Sequence, residues 1–159
     1  MDNYKSGFVT LLGRPNVGKS TLINKIIGKK ITITSPIAQT TRNKLRGIFN
    51  TDDSQIIFID TPGIHKPHHL LGEKLIKNAK SAINGVDLIL LIFDACHKPG
   101  KGDEYIRNLL NNNKSKCIMV LNKWDLVEKN DRYERINQYR DLINNNLISF
   151  QEVSALSGY

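Results

Sequence analysis

Apolar and polar positions alternate along the chain between short β-like runs and longer segments at helical spacing. Residues 8–12, Phe-Val-Thr-Leu-Leu, are bounded by Gly7 and Gly13 and predict a buried strand. Residues 20–27 follow with Leu22, Ile23, Ile26 and Ile27 on one helical face, and Gly28 stands where a helix stops. Residues 44–50 and 55–60 predict two strands joined by the hairpin-length turn Thr51-Asp52-Asp53-Ser54. A helix is expected over residues 71–83, with Leu71, Leu75, Ile76, Ala79 and Ile83 facing inward. Residues 86–93 form an apolar run broken only by Asp87, as in a strand buried on both faces. Residues 103–110 and 133–143 predict further helices, and 117–121 and 147–153 further strands.

Strands that alternate with helices imply βαβ units. The expected fold is therefore α/β, with six strands in a mostly parallel sheet and helices on both faces. In such sheets a ligand lies beyond the carboxyl ends of the strands. The polar stretches 13–20, 60–63, 122–125 and 154–155 all follow a predicted strand, so all four should meet at one sheet edge.

Composition narrows the class. With 159 residues, 40% hydrophobic and 24% charged, the chain suits one globular domain and excludes collagen, coiled coil and wholesale disorder. No apolar run is long enough to span a bilayer, and the first seven residues have no apolar core of a secretory signal. Cys96 and Cys117 fit no metal-ligand spacing and are expected as reduced, buried thiols. The net charge of +8 is concentrated early: residues 1–66 carry 10 Lys/Arg against 4 Asp/Glu. That excess suggests anionic partners: nucleotide phosphates, RNA or a membrane surface.

The polar stretches carry specific chemistry. Gly13-Arg14-Pro15-Asn16-Val17-Gly18-Lys19-Ser20 fits the phosphate-binding loop pattern between a strand and a helix, and Thr21 follows it. Its glycines let backbone N–H groups wrap an anion at a helix N-terminus. Lys19 would reach the β- and γ-phosphates, and the Ser20 hydroxyl would ligate Mg2+. Asp60-Thr61-Pro62-Gly63 places a carboxylate where it can hold Mg2+ through water, and the Gly63 amide near a γ-phosphate. Alone, that pattern is ordinarily a turn. Asn122-Lys123-Trp124-Asp125 suits guanine, because the Asp125 carboxylate can accept from both N1–H and N2–H2. Asn122 can bond the N7 side, the Lys123 stem can lie along the base, and Ser154-Ala155 offers a backbone N–H to O6. Such matched polar groups discriminate strongly. The nucleotide is expected to be GTP or GDP. The hydroxyl-rich stretch 32–46 can supply a further Mg2+ ligand, assigned to Thr41, when a γ-phosphate is present. Read alone, it is an ordinary polar connection.

Five elements in this order resemble the translation-factor-related GTPases, P-loop NTPases with a Ras-like G domain. The stretches G-R-P-N-V-G-K-S-T-L-I-N, A-Q-T-T-R-N-K and D-T-P-G-I-H-K-P, with Leu71-Gly72, are similar to the Era family. Der and MnmE share the phosphate loop but not His65-Lys66-Pro67. Ala38 and Trp124 depart from the family's usual proline and isoleucine at positions without chemistry. The resemblance covers nearly the whole chain. It implies a GTPase of bacterial small-subunit assembly, with 16S rRNA and the small ribosomal subunit as partners, in the cytoplasm or peripheral at the inner face of the membrane. Era-family proteins carry an RNA-binding KH domain after the G domain. This chain ends at Tyr159, so the last helix of the G domain and the KH domain are expected to be absent from it. A Der- or MnmE-like sibling, and a GTP-sensing RNA or membrane module with incidental turnover, are the alternatives.

Ras-like enzymes orient the attacking water with a glutamine after D-x-x-G. Here that position is Ile64, which cannot hydrogen-bond water. The resemblance to MnmE-type relatives implies instead that Asn16 binds K+ beside the phosphates; the competing reading is that Asn16 only caps the loop conformation. Catalysis is thus expected from Lys19, Asn16, Thr41 and Gly63. His65, His68 and His69 are expected as exposed side chains, since adjacent histidines cannot share a helix face.

Overall fold

A computed structural model describes residues 4–28, 45–59, 83–111, 113–143 and 147–158. Among these, six strands form one sheet: β1 (Lys5–Leu12), β2 (Leu45–Asn50), β3 (Ser54–Ile59), β4 (Leu88–Asp94), β5 (Lys116–Asn122) and β6 (Leu147–Val153). Their order is β2-β3-β1-β4-β5-β6. Only the β2–β3 pair is antiparallel; the other four pairs are parallel. The described helices are α1 (Lys19–Ile27), α2 (Lys101–Leu109) and α3 (Arg132–Leu142).

Alternation along the strands sends side chains to opposite faces. Leu11 of β1 and Ile92 of β4 pack with Leu22, Ile23 and Ile27 of α1. Their neighbours Leu12, Leu91 and Phe93 pack with Ile106 of α2 and Tyr139 of α3. The sheet is thus covered on both faces, which is why β4 and β5 are almost continuously apolar. The parallel pairing brings the carboxyl ends of β1, β3, β4, β5 and β6 to one edge. β1 lies between β3 and β4, so the loop after it opens at the point where the strand order reverses.

The expected strands and helices are present within two residues of their bounds wherever the structure describes them, except that β1 begins at Lys5, three residues before its expected start. β4 begins at Leu88 rather than at residue 86. There Asp87 replaces a regular ladder: its N–H donates to Phe8 O at 3.0 Å, and its Oδ2 accepts from Phe8 N–H at 2.7 Å. The expected helix over 71–83 lies outside the described residues except for buried Ile83. Cys117 is buried, but Cys96 is a correction: it is half-buried, in the turn after β4. A turn must expose part of its backbone, and Cys96 N–H is used there to bond Asp94 Oδ1 at 3.0 Å.

Candidate nucleotide-binding site

The loop between β1 and α1 is bent by two residues with positive φ, Asn16 at 63° and Gly18 at 98°. Asn16 is exposed and Val17 is buried. A Cβ on Gly18 would stand 2.1 Å from Asn122 Nδ2, and one on Gly13 would stand 2.4 Å from Ile92 O, so neither position admits a side chain without movement. Gly18 caps α1 with no side-chain hydrogen bond, and no acidic residue occupies the first turn. The N-terminal field of α1 is therefore left for an outside anion. Lys19 Nζ donates to Gly13 O at 2.9 Å and Arg14 O at 2.6 Å, holding its ammonium against the loop. Pro15 is half-buried, and Ser20 and Thr21 are exposed in the first turn of α1.

The stretch after β5 is joined to this loop through one side chain. Asn122 Nδ2 donates to Val17 O at 2.7 Å, and Asn122 Oδ1 accepts from Ala155 N–H at 2.9 Å. Asn122 is 2% exposed, and its amide braces three loops. Of the Ser154-Ala155 backbone, expected to offer an N–H to guanine O6, the Ala155 N–H donates to Asn122 here. Ser154 Oγ accepts from Asp125 N–H at 2.9 Å, which fixes the backbone that carries the exposed Asp125 carboxylate. Trp124 is buried at 5% exposure, and Arg132 of α3 lies over its ring at 5.4 Å. Trp124 thus packs the base loop against α3, a structural role its position alone did not suggest.

Asp94, at the end of β4, was not singled out by motif. Its register partner is Asn122, and its Oδ2 lies 2.5 Å from Lys123 Nζ. Burial pushes the Asp94 carboxyl up, but hydrogen bonds from Lys123 and from Cys96 outweigh it and hold the group below its ordinary value of 3.8. Lys123 itself has a positive φ of 64°. The signal available in sequence was an aspartate closing an apolar run, the same pattern that singled out Asp60.

Arg14, expected within the nucleotide-binding loop, sends its side chain to another element. Its Nε donates to Asp103 Oδ1 at 2.8 Å, across to α2. Asp60, Thr61, Pro62, Gly63, Ile64 and Thr41 lie outside the described residues, as do His65, His68 and His69. Among the described residues no group of three His, Cys, Asp or Glu side chains could hold a metal ion. On the phosphate side, the Ser20 hydroxyl lies exposed in the first turn of α1, an oxygen that suits Mg2+ taken together with phosphate oxygens and waters.

A family described as 50S ribosome-binding GTPase matches residues 8–123, from within β1 to Lys123. The chain belongs to this GTPase family. It is 54% identical over 158 residues to GTPase Era of Crocosphaera subtropica, covering 99% of this chain and 50% of that protein. It is 56% identical over 137 residues to GTPase Era of Rippkaea orientalis, covering 86% and 43%. The chain thus spans about half the length of these curated relatives. A crystal structure of Era with MgGDPNP and a 16S ribosomal RNA fragment is 36% identical, with TM-score 0.80, over 98% of this chain and 53% of that one. An Aquifex aeolicus Era variant bound to GDP·AlF4− is 35% identical, with TM-score 0.77, over 97% and 52%. The G domain of the T. maritima FeoB iron transporter is 25% identical, with TM-score 0.65, and this chain covers 90% of it. The P-loop G-domain fold expected from the sequence is therefore the fold of this GTPase, and the Era likeness extends over nearly all of it.

Proposed function

We propose that this chain is the guanine-nucleotide-binding G domain of an Era-type GTPase, hydrolysing GTP to GDP and phosphate as a switch in small ribosomal subunit assembly. The observation that carries this reading is Asn122. Its amide ties the phosphate loop at Val17 to the third loop at Ala155, on the strand that leads into Asp125. Three motifs far apart in sequence thereby form one site at one sheet edge. Phosphates would take the N-terminus of α1 and the Lys19 ammonium, and the base would be read at Asp125. Mg2+ would be held by Ser20 with phosphate oxygens, and by Thr41 and Asp60 as further ligands; when bound, it offsets phosphate charge. A solved Era relative holds MgGDPNP, which supports Mg2+ as the ion of this site.

Partners follow the same reading. That relative also holds a 16S ribosomal RNA fragment, which supports rRNA as a partner of the whole protein. The basic excess of residues 1–66 favours anionic surfaces, ribosomal RNA first and a membrane face second, for a protein of the cytoplasm. Single-turnover GTP hydrolysis, with and without a 16S rRNA fragment, tests the switch. Guanine-specific binding followed by hydrolysis of the bound GTP is the expected result; binding without any turnover would leave a nucleotide-sensing module.

The K+ reading of Asn16 is separable. Asn16 has the positive φ of a loop residue, so a structural reason for it exists beside a ligating one. Asn16→Gly keeps that backbone and removes the amide. If the amide binds K+, hydrolysis in KCl exceeds that in NaCl at equal ionic strength, and Asn16→Gly abolishes the difference while GDP affinity stays constant. Equal rates in both salts would reduce Asn16 to its backbone.

A further inference from the structure

The arginine of the phosphate loop points away from the site that the loop serves. Arg14 Nε donates to Asp103 Oδ1 at 2.8 Å, and Asp103 is fully buried in the first turn of α2. The other oxygen, Asp103 Oδ2, accepts from Gly100 N–H at 2.9 Å, so the carboxylate is fixed to the helix terminus before it meets Arg14. The Arg14 carbonyl in turn accepts from Lys19 Nζ at 2.6 Å. A continuous polar path thus runs from the start of α2, through Asp103 and Arg14, to the lysine that faces the phosphates.

A second observation is independent of charge. Gly102 is the second residue of α2, and its φ is not positive, so the backbone itself does not demand glycine. A Cβ there would stand 2.6 Å from Arg14 Cδ and 3.4 Å from Arg14 Cγ. The missing Cβ thus leaves room for the Arg14 side chain where it crosses the first turn of α2.

We propose that Arg14 is a positioning residue rather than a phosphate ligand: the Asp103 carboxylate and the Gly102 clearance hold the phosphate loop, and through it Lys19, in register for the nucleotide. The proposal rests on the guanine-nucleotide reading above. It predicts that α2 and the phosphate loop are coupled, since the path has no slack at either link.

The test is GDP affinity by calorimetry at three salt concentrations, with the 31P resonance of the bound β-phosphate. The variants are Arg14→Ala, Asp103→Ala, Asp103→Asn, Gly102→Ala and the Arg14→Ala/Asp103→Ala double. Each single alanine variant should weaken GDP roughly tenfold, and the double should be no worse than either, because both remove one link. Asp103→Asn keeps an oxygen for Arg14 Nε and should recover part of the loss. All should retain the wild-type salt dependence and displace the β-phosphate resonance in the same direction. Gly102→Ala answers the case in which Asp103→Ala fails to fold. It leaves both charged groups in the chain and displaces only the Arg14 side chain, so it should lower GDP affinity in a protein that circular dichroism shows to be folded. Arg14→Ala alone weakening binding, with a flattened salt dependence and an unaffected Asp103→Ala, would make Arg14 a direct phosphate ligand and overturn the proposal. Wild-type affinity in every variant would overturn it equally. A wild-type chain that binds no GDP would instead overturn the nucleotide reading beneath it.

Discussion

The two halves of the site are built by different means. On the base side, side chains do the joining: Asn122 spans Val17 and Ala155, Ser154 holds Asp125 N–H, and Asp94 holds Lys123. On the phosphate side, the loop is shaped by glycine clearances and positive φ, and its cation is spent on the loop's own carbonyls at Gly13 and Arg14. A pocket that reads a flat, rigid base gains from side chains fixed in advance, because unpaired groups then penalise the wrong base. A cradle for a flexible, multiply charged chain needs backbone N–H groups at close range and a cation that can exchange one set of oxygens for another.

That contrast can be broken most forcefully at Lys19. Lys19→Ala removes the cation from the phosphate side alone and should lower GDP affinity by about a thousandfold, since charge-assisted hydrogen bonds are the strong ones. The fold should survive; calorimetry together with circular dichroism checks both halves of that statement. Near-wild-type GDP binding would refute the exchange of partners just described.

Asn122→Ala attacks the seam between the halves. It leaves the Val17 carbonyl and the Ala155 N–H buried without their partner, which costs about 2–4 kcal/mol of folding stability. Chemical denaturation of the nucleotide-free chain measures this. An unchanged midpoint would mean that the three loops do not depend on the brace.

Asp125→Asn should act on the base side without touching stability. Only the backbone N–H of Asp125 is tied, to Ser154 Oγ, and its side chain is exposed. Stability should stay within about 0.5 kcal/mol. Preference should move from guanine to xanthine nucleotides by about a hundredfold, because one acceptor becomes a donor. Competition between GDP and XDP decides the point, and a persistent GDP preference would remove Asp125 from base recognition.

The smallest expected effect is the acid response of Asp94. Its folded-state carboxyl is held below 3.8, so the ionised form stabilises the fold above that value. The contribution fades as pH falls below 3.8 and is gone once the folded-state carboxyl is protonated. Asp94→Asn should therefore flatten the pH dependence of stability in that window and leave its shape near neutrality unchanged. Identical acid profiles for the two proteins would show that the Lys123 contact contributes nothing to folding.

Much of this architecture was legible in the sequence because period and punctuation carry it. β6 has the bounds expected from its apolar pattern, and α1 begins one residue before its expected start and stops before Gly28. The expectation that the motifs meet at one sheet edge matches where the three described stretches lie. What sequence could not supply was the direction of individual side chains. Asn122 belongs to a base-reading motif, yet only the parallel order of β1, β4 and β5 puts its amide beside Val17. Arg14 belongs to a phosphate motif, yet its guanidinium is claimed by Asp103, 89 positions away. The Asp94–Lys123 contact needs the register of β4 on β5, which pairs Asp94 with Asn122. Those facts are properties of tertiary packing, and no local window contains them.

Trp124 is the one tryptophan of the chain, and it sits between Lys123 and Asp125. It is buried at 5% exposure, with the Arg132 guanidinium 5.4 Å from its ring centroid. The indole is therefore an optical reporter already installed in the base loop, with a cation lying over its ring. Its emission should respond when a base is seated beside Asp125 and stay silent to events confined to the phosphates. Stopped-flow fluorescence of the unlabelled chain can then time base capture apart from phosphate release, and Arg132→Gln should change the size of that signal while sparing its rate.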